Sequence, residues 1–510
     1  MLTIFWLVFI LTIVGLIYFR QIIEFVRQRK RLIHFVDKLP GPHAIPLLGC
    51  TYQFKWNNLE FSYQLEEWAS RYGPNGVCRL WIGPVPVIII TKAGAAQEIL
   101  DSKILLTKSN QYDKLSEWLG TGLLISTGDK WRSRRKMLTP TFHFNILNGF
   151  VDIFAREAQI LVGQLERYVD TNQSFDLFPY LKRCALDIIC ETSMGTKVDA
   201  QLNHDSEYVI AVQRMSQLIW KHERLPWFRL KPIWYLSGNG AEFDKNLKLL
   251  NDFTRKVISE RTIKLQEEMG RQHKDSISQL DDEKKRFAFL DLLLMMQKEN
   301  KLTDEDIREE VDTFMFEGHD TTSSGMGWTL WILGHHPYIQ KKIFAELDEI
   351  FGDSDRPITP DDLKEMKYLE RCIKEGLRLC PPVPLFARNV TEDTLVQGYT
   401  IPKGSTVVLV PIYMHRDDQV YTNPEVFDPD NFLTERVASR STFSYIPFSA
   451  GQRNCIGQKF ALMEEKTVLA TILRKYYIKS METVEKCRPL PEIILKPPKG
   501  FMVQLFTRRK

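Results

Sequence analysis

The chain has 510 residues, a formal net charge of +4, 44% apolar residues and 26% charged ones. Such a chain builds a substantial core, as two or three domains or one large composite fold, and disorder is excluded as the default. The weak positive balance comes with no basic tail and no zinc-finger spacing, so nothing points to nucleic acid.

The run MLTIFWLVFILTIVGLIYF carries no charged side chain before Arg20. A helix of about twenty residues is about 30 Å long, enough to cross a bilayer. Arg27, Arg29, Lys30 and Arg31 follow and place that flank in the cytosol. A cleaved signal would have a basic stretch before the apolar run and a small-residue cleavage site after it, and neither is present. Residues 1–26 therefore read as a transmembrane anchor and flank. Residues 27–49 read as a basic, proline-rich connector stiffened by Pro40, Pro42 and Pro46, and 50–510 as the main body on the cytosolic side. The eight cysteines show no CxxC spacing. In a reducing compartment most of them are expected to be small buried hydrophobes.

Residues 57–72 have amphipathic helical spacing. GVCRLWIGPVPVIIIT reads as two strands around a turn at Gly83-Pro84. Helices dominate from there to about residue 350, with a solvated polar connection from Gly270 to Arg286. Thr303 and Asp306 open a long helix through FEGHDTTSSGMGWTLWILG, and Pro337 opens another that runs to Phe351. TPDDLKEMKYLERCIKEGLRL is helical. After Pro381, VPLFARNV, TLVQGYTIPKGSTVVLVPIY and GFMVQLFTRR are strand-like. The fold expected is mostly α with a small antiparallel β component.

PFSAGQRNCIGQKF places Cys455 where a helix begins. Unpaired N–H groups and the helix dipole there stabilise a thiolate. Gly451 and Gly457 allow a tight turn and close approach to a flat ligand, and Arg453 is placed to neutralise a carboxylate at its edge. A lone cysteine beside a turn is more often structural, but the surrounding pattern reverses that. In FEGHDTT, Thr321 and Thr322 return hydroxyl bonds to the preceding turn, and Gly318 opens room on one face. The plain alternative is a kinked, inert helix. Glu375 and Arg378 share a helix face and form an ion pair.

Phe448, Gly451, Arg453, Cys455 and Gly457 fill every fixed position of Phe-x-x-Gly-x-Arg-x-Cys-x-Gly, so the segment resembles the haem-binding pattern of the cytochrome P-450 superfamily. Glu317 within EEVDTFMFEGHDTT, with GPVP, WRSRRKMLTPTFHF and CALDIICET, makes the chain most similar to family 4 and its subfamily V. The resemblance implies the cytochrome P-450 fold preceded by one N-terminal transmembrane helix. It implies haem b (iron protoporphyrin IX) with Cys455 as axial ligand, and a place in the endoplasmic reticulum membrane. The implied reaction is hydroxylation of fatty acids, mainly at the terminal carbon, with O₂ and electrons from NADPH through an NADPH–haemoprotein reductase, cytochrome b5 assisting.

The same resemblance assigns Asp320 and Thr321 to proton delivery. Trp131, Arg135, Arg388 and Arg453 are assigned to the haem carboxylates, and Glu375 with Arg378 to a buried brace whose usual third arginine is replaced by Asn431. Glu317 is assigned to an ester with a haem methyl group, the alternative being a free glutamate that lines the pocket. Arg132, Arg134 and Lys136 are candidates for docking a redox partner. Trp118, Leu119, Val383, Leu385 and Phe386 are candidates for lining the substrate pocket or for filling the core. WKHERLPWFRLK, with Trp227 and Phe228, is a candidate contact with the membrane surface. Hydroxylation of xenobiotics or of terpenoid or hormone-like lipids is the strongest alternative. A haem-thiolate isomerase or a non-catalytic haem binder would not need the Asp320–Thr321 pair.

Overall fold

The computed structural model describes residues 2–203, 207–275, 288–483, 487, 489–490 and 492–508. Its centre is the helix Asp304–Leu333. Thr303 caps it: Thr303 Oγ1 accepts from the Asp306 N–H at 3.1 Å, and Asp306 accepts from the Thr303 N–H at 3.0 Å. Two donors that a helix start would orphan are thereby satisfied. From Ile307 onward nearly every side chain is buried. That demands a neighbour on each face, and the helices Phe178–Met194, Lys367–Leu379 and Gln458–Lys475 supply them. The acidic first turns also hold a loop in place. Glu309 accepts from the Thr121 N–H and from Lys130, both at 2.8 Å, and Glu310 accepts from the Leu123 N–H at 3.0 Å.

The expected hairpin forms from Val77–Ile82 and Val85–Ile90. It belongs to a four-stranded sheet completed by Thr406–Leu409 and Phe386–Asn389. Val85–Ile90 and Thr406–Leu409 run parallel, with Ile88 opposite Val407. The sheet is therefore mixed, where a purely antiparallel component was expected. A parallel pair needs a long crossover, and here most of the helical body lies between the two strands, so their pairing left no local signal. A second sheet joins Phe175–Asp176, Met502–Thr507 and Tyr476–Ser480 in antiparallel pairs.

The backbone of Leu2–Val36 is one helix. Residues 27–36, expected to begin the connector, continue it because they have partners in the body. The Arg29 guanidinium lies 4.2 Å over the Trp81 ring, Arg31 pairs with Asp393, and Val36 and Leu39 pack into the sheet's core. No helix among the described residues is long and apolar enough to cross a membrane. Residues 270–275 end the helix Asn239–Asp275, and the rest of the expected polar connection, 276–286, lies outside the described residues. Near the end of helix Glu207–Arg224, Phe228 is buried against Trp234, with ring centroids 5.5 Å apart, so it is not free for a membrane. The exposed apolar groups there are Leu230, Ile233, Tyr235 and Leu236, the last 88% exposed.

Candidate active site

The loop before helix Gln458–Lys475 is closed by the Cys455 N–H donating to Phe448 O at 2.8 Å. Gly451 adopts a φ of +70°, and a Cβ there would sit 2.2 Å from Leu100 O, so only glycine fits. Gly457 has an ordinary φ of −89°. Its use is spatial: a Cβ would lie 3.9 Å from Cys455 Sγ, on the cavity wall. Cys455 opens onto that cavity, of about 220 Å³, while the other seven cysteines are buried in the core as expected. Burial and the Glu317 carboxyl push the Cys455 thiol up to about 12, against the Gly457 N–H and Arg135. The helix starts three residues downstream, at Gln458. The Gly457 N–H at the helix start favours the thiolate, as expected, but burial opposes it. A bound metal cation would displace the proton.

Four cations ring one side of the cavity: Lys108, Arg135, Arg388 and Arg453. Two of the expected arginines are largely committed to backbone. Arg135 donates to Asn454 O at 2.6 Å and Asn454 Oδ1 at 2.7 Å, which ties its helix Gly128–Leu138 to the cysteine loop. Arg453 donates to the carbonyls of Leu106, Leu123, Leu124 and Ser126, and its guanidinium stacks 4.7 Å over the Trp131 ring. Arg388 is 2% exposed and donates only to Ala387 O, at 3.3 Å. Lys108, which pattern matching missed, lies opposite Arg388 in an isolated bridge. Burial, then Arg388 and Arg453, depress the Lys108 ammonium well below its ordinary value, and burial, then Arg388, brings Arg453 down to about 9. Like charges crowded in a buried wall fit an anionic occupant. The rest of the wall, including Leu124, Phe142, Phe314 and Phe448, is apolar. A soft sulfur ligand, an apolar slot and surplus cations together fit haem, with its iron, flat macrocycle and carboxylates.

Helix Asp304–Leu333 brings Glu317, Gly318, Thr321 and Thr322 to the cavity. The hydroxyls of Thr321 and Thr322 donate to the carbonyls of Glu317 and Gly318, at 2.6 and 2.8 Å, as expected. Gly318 serves packing more than open space, because a Cβ there would meet Ile189 Cγ1 at 2.6 Å. Burial raises Glu317 to about 7, against Lys108 and Arg453. Asp320 does not join Thr321 at the cavity. Neighbours on a helix point about 100° apart, and the buried Asp320 carboxylate pairs with the buried Lys182 at 2.7 Å. Burial opposes ionisation of Asp320, but Lys182, with His319 and Lys496, holds the carboxyl below its ordinary value. Asp320 therefore does not line the cavity directly, as Thr321 does. Two acids unmarked in the sequence stand nearby: Glu464 accepts from Thr322 at 3.2 Å, and Glu465 lines the cavity with a buried, unpartnered Oε2.

The brace is present. Glu375 and Arg378, both fully buried, make two hydrogen bonds at 2.8 Å. Asn431 Nδ2 donates to Glu375 at 3.1 Å in place of an arginine. Arg378 donates to the carbonyls of His415, Pro424 and Val426. His415 Nε2 accepts from the Ile446 N–H at 2.9 Å, two residues before Phe448, so the brace reaches the cysteine loop.

Of the expected lining residues, Val383 and Phe386 face this cavity, and Leu385 faces a different one. Trp118 and Leu119 are fully buried core, with Trp118 packed on Phe316 at 4.7 Å. Arg134 is also inside, paired with Asp306 and Glu310, so only Arg132 and Lys136 of the proposed docking trio are exposed. A helix places residues two apart on opposite sides, and that rules out a docking face made of all three.

A cytochrome P450 family profile matches residues 39–505. Cytochrome P450 4V2 of Homo sapiens is 48% identical over 468 residues, covering 91% of this chain and 89% of the relative. The Mus musculus protein of that name is 47% identical over 475 residues, covering 92% and 89%. Cytochrome P450 4c3 of Drosophila melanogaster is 43% identical over 498 residues, covering 96% and 92%. A cysteine loop braced from beneath, an apolar slot ringed by cations and a threonine-bearing helix across it are thus matched by similarity along nearly the whole length, and the chain belongs to the cytochrome P450 family, within family 4 and alongside subfamily V.

Proposed function

We propose that this P450 monooxygenase hydroxylates fatty acids, mainly at the terminal carbon, with electrons from NADPH delivered by a membrane-bound haemoprotein reductase and cytochrome b5 assisting. The observation that carries the reading is Glu317, a carboxyl group in the cavity wall one helical turn before Thr321. A charged, unpaired carboxylate in an apolar slot costs several kcal/mol, and an ester to a haem methyl, formed if turnover oxidised that methyl by two electrons with loss of a proton, would remove that charge. Bound haem supplies oxygen activation and oxygen insertion into a C–H bond. Cys455 would hold the iron. Arg388, with one long hydrogen bond to Ala387 O, and Lys108, over the Tyr112 ring, would meet the haem carboxylates, while Arg135 and Arg453 fix the surrounding loops and add charge. Thr321 presents its hydroxyl at the cavity and moves a proton there. Phe314, Val383 and Phe386 exclude water and restrict the approach of a chain. A terminal methyl has a stronger C–H bond than its neighbours, so selectivity for it rests on such restriction.

The membrane reading rests on the charge-free run before Arg20 and on the exposed Leu230, Tyr235 and Leu236, which suit a single-pass protein of the endoplasmic reticulum. The test is product analysis after incubation with purified reductase, NADPH and a panel of fatty acids, terpenoids and xenobiotics. Terminal alcohols of fatty acids as the main products support the reading. Turnover of only the other two classes overturns it.

A further inference from the structure

A second cavity, of about 120 Å³, lies between the four-stranded sheet, the helix Asn58–Tyr72 and the end of the helix Glu207–Arg224. Its wall is mostly aromatic and aliphatic, as with Phe61, Trp68, Val87 and Leu385. It shares two walls with the cavity at Cys455. Lys108 lines the first cavity and Gln111 the second, while Val383 and Phe386 line the first and Pro384 and Leu385 the second. The short segment from Val383 to Phe386 thus faces both cavities.

The polar exception that matters is Arg224. Its Nη2 donates to Trp56 O at 2.9 Å and its Nη1 to Lys55 O at 3.4 Å, while Nε is buried and has no partner among the described residues. Glu223 also lines this cavity but is engaged by Arg229 at 3.1 Å and His222 at 3.0 Å, and Glu492 pairs with Lys496 at 2.6 Å. A guanidinium in an apolar wall, with a spare donor and no counter-ion of its own among the described residues, is complementary to a carboxylate at the end of a hydrocarbon chain. We propose that Arg224 binds the carboxylate of a fatty acid whose chain lies in the second cavity and reaches past Val383 and Leu385 into the first. The inference rests on the fatty-acid reading above and adds the group that fixes which end of the chain enters. Arg224 is a specificity residue at the far end from the reacting carbon. Its loss should affect acid binding without touching the chemistry at Thr321.

The test is calorimetric titration of the haem-loaded wild type, Arg224→Gln and Arg224→Lys with palmitic acid and with methyl palmitate. Anionic phospholipid vesicles form a separate arm. Expected is a roughly 10- to 100-fold weakening of acid binding in Arg224→Gln, the range for one hydrogen bond to a charged group. Arg224→Lys should recover part of it, and ester binding should be unchanged in all three proteins. Equal acid affinity in wild type and Arg224→Gln overturns the anchor, as does an equal loss for the ester, which would mean packing. A loss confined to vesicle binding also overturns it, in favour of a phosphate headgroup. A wild type that binds neither palmitic acid nor its ester overturns the fatty-acid reading itself, and the anchor with it.

Discussion

Replacing Glu375 with alanine removes the acceptor on which the brace under the cysteine loop depends. Glu375 takes two hydrogen bonds from Arg378, one from the Asp428 N–H at 2.9 Å and one from Asn431 at 3.1 Å. Alanine leaves a fully buried guanidinium with only the carbonyls of His415, Pro424 and Val426. Breaking a buried pair from one side costs about 3–5 kcal/mol. The Asp428 and Asn431 donors are half-buried, so water replaces part of what they lose, and the total stays near the top of that range. Against a net stability of about 5–15 kcal/mol, the variant should retain little folded, haem-loaded protein. Asn431→Ala deletes one hydrogen bond to a charged group and should cost only about 1.5–3 kcal/mol. Urea unfolding midpoints at constant slope, with haem content per chain, measure both. If Glu375→Ala lost no more than Asn431→Ala, the buried pair would not be what holds the loop.

Gly451→Ala should abolish haem loading, because φ is +70° and the new Cβ would lie 2.2 Å from Leu100 O; normal loading would mean that the loop relaxes freely. His415 donates through Nδ1 to Arg378 O and accepts through Nε2 from Ile446, and burial first, then nearby arginines, holds its pKa down to about 3. The unfolded chain takes up that proton near about 6.5, so stability is unaffected above that pH and falls as pH drops from about 6.5 toward about 3. His415→Gln should flatten this part of the stability–pH curve, and an unchanged slope would contradict the neutral tautomer. Thr321→Ala should keep the haem protein folded but lower the product formed per NADPH consumed, and unchanged coupling would remove Thr321 from proton delivery. Glu317→Ala should release all haem on acid denaturation, where wild type that has turned over keeps part of it on the chain. Complete release from the wild type would exclude the ester.

Features encoded within a few residues were legible in the sequence. The Thr303–Asp306 cap, the Gly83-Pro84 hairpin, the back-bonded threonines and the cysteine loop each depend on neighbours along the chain. What escaped depends on partners far apart. The carboxylate of Asp320 answers to Lys182 on another helix, and that pairing turns it away from Thr321. Lys108 acquires its place only through its bridge to Arg388, and Arg134 is buried because Asp306 and Glu310 reach it. Trp118, expected in a pocket-lining loop, lies in the helix Asp113–Leu119 and is fully buried against Phe316 of the central helix. The parallel strand pair is the same case at the level of the fold, since Ile88 and Val407 meet across most of the chain.

The ligation of haem iron by Cys455 is the claim on which the rest depends. The direct measurement is the absorption of the reduced, carbon monoxide-bound protein, wild type against Cys455→Ala, with haem content determined in parallel. The wild type should show the red-shifted Soret band of a thiolate-ligated haem, and Cys455→Ala should lose it together with all hydroxylation. The same band in Cys455→Ala would mean that another residue holds the iron.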